Sequence, residues 1–460
     1  MLEQNQKEGI SLAVLIPLIW LLRAASRGVT YWLSPDMGAG INAVEVDYLK
    51  GSPIDRNFFI VLEVLAVAVL IFRRIDLKEF VRRNRFLLLL YLFMGLSVIW
   101  SGFPEVSFKR WVRTVGDLLM VMVLVSEINF TSATVRVLRV WSYVLVPLSV
   151  LFVKYYRHLG VSYDHTGIFE MWIGVTTHKN SLGQLVCVSA FFFVWVFFSR
   201  AFRMKLLDIP VMMLAVWLLN GSKTATSRTS LVVFLVGVGM LLLVKLAKTN
   251  VKVIRGVAWV LVLGFLLGNI LTQHFAAMDL VPCIVQSTGG DPTFTGRTFL
   301  WDELLKIGQN RWLAGAGYGG FWIGSLGHQL WETFSWRPGQ AHNGYIDVYI
   351  DLGIIGLILL ALTGISTFRN IVRSIAFDSD WGRFRLVALL MIIIYNYTES
   401  SFVKPTSLLW IVFLLISVQV PEDLPDAAGK REFLFRNEDE DENYGESDEL
   451  ITVSSEEEDS

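Results

Sequence analysis

Three positions combine residue types that could carry out chemistry on a charged substrate. Arg228 lies in Gly221-Ser222-Lys223-Thr224-Ala225-Thr226-Ser227-Arg228-Thr229-Ser230, and Arg297 in Phe294-Thr295-Gly296-Arg297-Thr298. Arginine offers a planar fork of donors with a permanent charge, a shape matched to phosphate oxygens. Two arginines converging from different loops would suit a diphosphate. His342, followed by Asn343, stands at the entrance of an apolar stretch. A histidine near neutral pH can take a proton from a hydroxyl. Each group also has a plainer reading. An arginine at a membrane edge caps a helix or anchors at headgroups, and His342 could be an interfacial histidine with one satisfied hydrogen bond. His178 and Lys179 precede Asn180-Ser181-Leu182-Gly183. There Asn180 or Ser181 could simply cap a helix.

Other patterns carry less. Gly221 to Lys223 lacks the spacing of a phosphate loop. Gly315 to Gly320 contains Gly-x-Gly-x-Gly with no preceding strand, and fits a tight turn between Trp312 and Phe321 better than a dinucleotide site. Trp301, Trp312, Trp322, Trp331 and Trp336 enrich the same region. They read as an interfacial aromatic belt or as platforms for sugar rings. His158, His165, His274 and His328 have no partner at metal-ligand spacing, so no metal site is expected. Cys187 and Cys283 do not suggest a disulfide.

The elements that must position these groups span a membrane. The 460 residues are 54% hydrophobic, with a mean hydropathy of +0.53. Apolar blocks fall near 10–24, 57–72, 86–100, 115–127, 139–153, 181–199, 206–220, 229–244, 256–274, 344–366, 386–399 and 404–420. Continuous blocks of this length predict an all-α polytopic membrane protein with about 12 spans, not a β-barrel. No small-residue cleavage site clearly follows the first block, so a cleaved leader is not expected. Basic loops after the second, sixth, eighth and tenth blocks, and before the fifth, place those loops and both termini in the cytoplasm. The segments 154–180, 221–228, 275–343 and 400–403 then face outward together, and they contain His178, Lys179, Arg228, Arg297 and His342. Lys109, Arg110 and Arg113 also fall outside, either to meet an anionic substrate or to snorkel to headgroups. Residues 421–460 hold 16 Asp/Glu against 3 Lys/Arg, a balance of −13. The other 420 hold 25 against 37, a balance of +12. The chain thus divides into a membrane domain, 1–420, with an outer loop over about 275–343, and an acidic tail, 421–460, expected to be disordered.

The ordered set of segments resembles a known family. Thr177-His178-Lys179-Asn180-Ser181-Leu182-Gly183, Gly221-Ser222-Lys223 through Arg228-Thr229, Thr295-Gly296-Arg297-Thr298 with Trp301, and Ala341-His342-Asn343 with Asp351-Leu352-Gly353-Ile354-Ile355-Gly356 look like the O-antigen ligase and polymerase superfamily. Tyr397-Thr398-Glu399-Ser400, with Trp20 and Pro53-Ile54-Asp55-Arg56, is more similar to its exopolysaccharide-polymerisation, ExoQ-type branch. The resemblance covers roughly 10–420. It implies a bacterial inner-membrane, inverting glycosyltransferase of the membrane-embedded C superfold, acting at the periplasmic face without metal, nucleotide or other cofactor. Its glycan would come from undecaprenyl diphosphate and pass to another lipid-linked repeat in a polymerase, or to lipid A core in a ligase. Partners would be the lipid-linked glycan, the bilayer and a chain-length-regulating co-polymerase, with no nucleic acid. On this reading Arg228 and Arg297 take the diphosphate, with His178 and Lys179 as weaker contacts. His342 serves the incoming hydroxyl as base or orienter, and Asn343 supports it. Glu399 orients a basic partner, or is only a polar residue in a short turn. A transporter for a polar lipid is the remaining alternative. It would place charges mid-membrane, often with broken helices or inverted repeats.

Overall fold

The computed structural model describes residues 10–33, 52–163, 167–222, 227–246, 256, 297–334, 336–375 and 379–419. The acidic tail, residues 257–296, Cys283 and the apolar block at 256–274 (beyond its first residue) lie outside them. The other eleven apolar blocks coincide with helices: α1 (Leu15–Ala24), α2 (Pro53–Phe72), α4 (Arg85–Ser97), α5 (Pro104–Val125), α6 (Phe130–Lys154), α7 (Lys179–Phe198), α8 (Asp208–Asn220), α9 (Arg228–Leu246), α12 (Gly344–Ser374), α13 (Ser379–Thr398) and α14 (Leu408–Ser417). A seven-residue helix, α3 (Leu77–Arg83), precedes α4, and α10 (Arg297–Gly308) and α11 (Ser325–Thr333) lie ahead of α12. The strands described are a two-stranded antiparallel ribbon, β1 (Val161–Tyr163) with β2 (Glu170–Trp172), in register Val161↔Trp172.

Among the described residues, α6, α7, α9 and α12 are long and apolar enough to cross a bilayer, and α3 with α4 adds a fifth candidate if that 95° bend is one broken span. Helices α2 and α5 are long, but Asp55, Arg56 and Glu63 in one, and Lys109, Arg110, Arg113 and Asp117 in the other, lower their apolarity. The three cations of α5 do not sit in an outer loop as the charge pattern suggests. Pro104 starts the helix at its first turn, where a missing N–H costs nothing, so all three ride on its first half. Arg110 donates through Nη1 to the Gly319 carbonyl, and Arg113 lies 4.8 Å from the Phe59 ring centroid. Lys109 alone is half exposed, paired to Glu105.

Of the four long apolar helices α7 is the most enclosed, with 72% of its apolar stretch buried, against 56% for α6 and 39% for α9 and α12. It packs on α8 and α9, while α13 packs on α9, α12 and α14. The exposed faces of α9 and α12 carry Val232, Leu235, Leu243, Ile358 and Ile365, as a lipid-facing surface requires. The largest side chains are turned inward: Trp20, Trp141, Trp195, Trp381 and Trp410 are fully buried.

Helix α12 is broken. Gly353 has φ 64°, ψ −163° inside it, a region open essentially to glycine. A break exposes backbone groups that lipid cannot satisfy, and the glycine run supplies their partners. Ile354 N–H donates to Trp312 O (2.8 Å), Ile355 N–H to Leu313 O (3.2 Å), Ala316 N–H to Ile350 O (2.9 Å) and Gly317 N–H to Asp351 O (2.9 Å). Such an approach needs bare backbone on both sides. A Cβ on Gly353 would lie 2.3 Å from Leu313 O, and one on Gly315 2.4 Å from the Asp351 carbonyl. The turn expected of Gly315–Gly320 is therefore also the splint for a broken span. A second core, separate from the bundle's, forms around Leu300, Leu304, Phe321, Trp322, Leu330 and Ile350. It fixes α10, α11 and the glycine run against the upper part of α12.

Candidate functional site

The residues from separate loops meet at Glu399, just past the end of α13. Its side chain is 5% exposed. Oε1 accepts from Arg297 Nη2 at 3.0 Å and from Asn180 Nδ2 at 2.5 Å, while Oε2 lies 3.3 Å from His342 Nδ1. Arg297 also donates through Nη1 to the Thr398 carbonyl. Three elements are thus bridged by one carboxylate: α10 through Arg297, α7 through Asn180 and the start of α12 through His342. A buried carboxylate is stable only when its charge is matched and its lone pairs are used. Burial alone would raise the pKa of Glu399. The His342 hydrogen bond and the nearby charge of Arg297 outweigh it and hold the carboxyl below its ordinary value.

Exposure is graded across the cluster. Arg297 keeps 19% of its side chain exposed and His342 keeps 16%. The anion therefore sits behind, and the cation and imidazole in front. His342 adopts φ 51°, strained for a non-glycine residue, and several contacts hold that turn. Ala341 N–H donates to Asp347 Oδ1 (3.0 Å), and Trp301 Nε1 donates to Ala341 O (2.8 Å). Asn343 caps α12, its Oδ1 accepting from Tyr345 N–H (3.0 Å) and Ile346 N–H (3.2 Å). Its side chain is spent on placing the backbone beside His342.

Arg228 opens α9 and is exposed. Its neighbour Thr229 bonds Thr398 through hydroxyls 3.0 Å apart, so Arg228 and Arg297 approach the same end of α13 from different elements. Ser230 joins Tyr395 at 2.7 Å, and Gly183 allows α7 this close: a Cβ there would lie 2.3 Å from Ser230 Oγ. Lys179, the first residue of α7, borders a crevice with Trp172, Gly221 and Ser227. Neither Asn180 nor Ser181 caps α7. His178 does so, its Nδ1 accepting from Asn180 N–H at 3.2 Å, because Asn180's side chain is drawn to Glu399. His178 is exposed at the surface. Desolvation by the surrounding groups lowers its pKa, opposed by the charge of Glu399 and assisted by those of His342, Lys179 and Arg297.

Gln340, Asp347 and Lys404 join the site without having been singled out from the sequence, and Asn180, which the sequence offers only as a helix cap, joins it through Glu399. Lys404 donates to Gln340 Oε1 (2.9 Å) and pairs with Asp347 Oδ2 (2.8 Å). Gln340 Nε2 lies 3.4 Å from His342 Nδ1. A signal existed: Asp347 lies in a stretch read as a membrane span, where a carboxylate demands a partner.

Comparison with known proteins fits this arrangement. Residues 214–361 match the family model described as O-antigen ligase, a stretch that includes Arg228, Arg297, His342 and Asn343 but stops short of Glu399 and Lys404. The chain is 25% identical over 285 residues to the exopolysaccharide production protein ExoQ of Rhizobium meliloti (strain 1021), a match covering 60% of this chain and 62% of that protein. The match thus spans less than two thirds of the curated relative. The family match over residues 214–361 and the exopolysaccharide-production relative both support the resemblance of this chain to the O-antigen ligase and polymerase superfamily, nearest its ExoQ-like branch.

Proposed function

We propose that the protein is an inverting glycosyltransferase of the bacterial inner membrane that takes a glycan from undecaprenyl diphosphate and passes it to a hydroxyl of another lipid-linked repeat. The observation that carries this reading is the convergence of Arg297 and His342, from separate elements, on the buried carboxylate of Glu399. With Nδ1–H donating to Glu399, His342 presents the lone pair of Nε2. Nε2 takes the proton of the incoming hydroxyl as its oxygen attacks the anomeric carbon. The bond from that carbon to the diphosphate oxygen breaks in the same displacement, which inverts the centre. The departing diphosphate gathers charge, and Arg297 with Arg228 stabilises it there. Arginine suits this role because it needs no proton transfer to stay charged. Lys179 and His178 border the same end and would contact the phosphates.

In this reading about 12 spans carry residues 1–420, both termini lie in the cytoplasm, and the site opens to the periplasm beneath the loop that ends at residue 343. The acidic tail stays cytoplasmic, and a co-polymerase that sets chain length is the expected protein partner. The ligase reading, with lipid A core as glycan acceptor, is favoured by the description of the matched family model. The exopolysaccharide relative favours the polymerase. Transport gains little from the broken α12, since the backbone groups at the break are bonded to residues 312–317 and are not left to coordinate a cargo.

Purified protein in liposomes that contain only undecaprenyl-diphosphate-linked repeat units tests the choice. A ladder of longer lipid-linked glycans supports the polymerase. Product that forms only after lipid A core is added supports the ligase, and no transfer under either condition refutes glycosyl transfer.

A further inference from the structure

Beside the candidate base lies an exposed indole with no structural task in the cluster. The ring of Trp336 is centred 5.9 Å from that of His342, tilted by 46°, and the residue is 39% exposed. It is held in place. Phe334 packs edge-on against it at 6.0 Å. Arg337 N–H closes a turn onto Phe334 O (3.0 Å), and Trp331 Nε1 pins the Pro338 carbonyl at 2.9 Å. Arg337 and His342 both adopt left-handed backbone, φ 46° and 51°, so the segment between the indole and the imidazole has a fixed shape. A large aromatic face kept rigid and partly bare is preorganised for a ligand.

We infer that Trp336 forms the glycan-acceptor subsite, its indole stacking on the apolar face of the pyranose whose hydroxyl approaches His342. The assignment rests on the transfer reading above and adds to it the place of the acceptor ring. The chemistry selects the ligand. The face of an aromatic ring is electron-rich and meets the weakly positive C–H groups on one side of a sugar. It disfavours phosphate, which the transfer reading assigns to the arginines. A cationic ligand would face repulsion from Arg297, which a neutral polyhydroxyl ring escapes. A pyranose over the indole places a ring hydroxyl within reach of a neighbouring imidazole, at the roughly 3 Å that proton transfer needs. Trp312, in the same region, is 57% exposed, and no ring contact joins it to His342. It serves as the internal control.

The test uses the full chain in liposomes, undecaprenyl-diphosphate-linked repeat unit as glycan donor, and the same repeat unit freed from its lipid as a soluble acceptor. Trp336→Ala should raise the KM for the free oligosaccharide on the order of tenfold, the size of one lost aromatic stacking contact, measured with the lipid-linked unit at one fixed concentration in every variant. Trp336→Phe should recover part of the loss, and Trp312→Ala should match the wild type. An unchanged acceptor KM in Trp336→Ala, or an equal rise in Trp312→Ala, overturns the assignment in favour of plain interfacial anchoring. A binding measurement separates this assignment from the transfer reading. Free oligosaccharide should change the indole fluorescence of the wild type and change it less in Trp336→Phe, whether or not transfer occurs. Identical responses from the two proteins refute the subsite by themselves.

Discussion

Replacing Glu399 by glutamine removes one charge and almost no volume, so its effects can be worked from the geometry. The carboxylate accepts from Arg297 at 3.0 Å and faces His342 Nδ1 at 3.3 Å. Hydrogen bonds to charged groups contribute roughly 1.5–3 kcal/mol each and neutral ones roughly 0.5–1.5. The amide can still accept from Arg297, so the net loss in stability should be about 2–3 kcal/mol. Catalysis should suffer more. The glutamine NH2 would face Nδ1 and favour the tautomer with its proton on Nε2, which cannot then accept one. The loss of a positioned base lowers turnover by about 10²–10⁴-fold, so kcat for glycan transfer in liposomes should fall by that amount, with the KM for the lipid-linked donor little changed. Acid sensitivity gives a second readout. The folded pKa of Glu399 lies below its ordinary 4.5. Its contribution to stability is therefore complete above about pH 4.5 and is lost as pH falls through the lower folded value. Glu399→Gln should lack that component of acid unfolding. Wild-type turnover in Glu399→Gln would refute the claim that the carboxylate sets the histidine's tautomer.

Arg297→Ala and His342→Ala should abolish transfer while the protein still inserts into the membrane, and Arg297→Lys should recover little because a single ammonium cannot reach Thr398 O and Glu399 together. Full transfer by either alanine variant removes that residue from its role. Gly353→Ala places a Cβ 2.3 Å from Leu313 O at φ 64° and should cost at least 1–3 kcal/mol, read as loss of the monodisperse peak on size-exclusion chromatography; an unaltered peak and melting temperature would show that the break tolerates a side chain. Reporter fusions after Ser460 and within 200–205 should read as cytoplasmic and one near Gly290 as periplasmic; a cytoplasmic signal near Gly290 would separate the groups proposed to share a face.

The helices were legible because lipid makes them so. An apolar run of bilayer length has few alternatives to α-helix, and eleven of the apolar blocks coincide with helices. The gathering of Arg228, Arg297, His342 and His178 toward one end was legible from loop charge. Their hub was not. Glu399 reads equally as a turn residue until its three partners arrive from positions 180, 297 and 342, contacts separated by 57 to 219 residues. The charges of α5 misled in the opposite direction. Arg110 and Arg113 read as anion contacts or as snorkelling to headgroups, yet the structure engages them with Gly319 O and the Phe59 ring, neighbours that linear spacing does not reveal. The break in α12 was not legible, because its splint lies some 40 residues earlier, at Trp312 and Leu313 beside the glycine run.

The position of Glu399 in the chain also bears on how the protein is made. Synthesis runs from the N-terminus, so Arg297 and the second core of residues 300–350 emerge before the carboxylate that binds Arg297 and His342. Until α13 is inserted, the half-built site has its cation and imidazole but no counter-ion and no lock on the histidine. A stalled or truncated chain ending before α13 would therefore be inert toward lipid-linked sugars even with its arginines in place. Under the proposed function, arrival of the last helices would hold back the transfer chemistry until the membrane domain through α13 has been laid down.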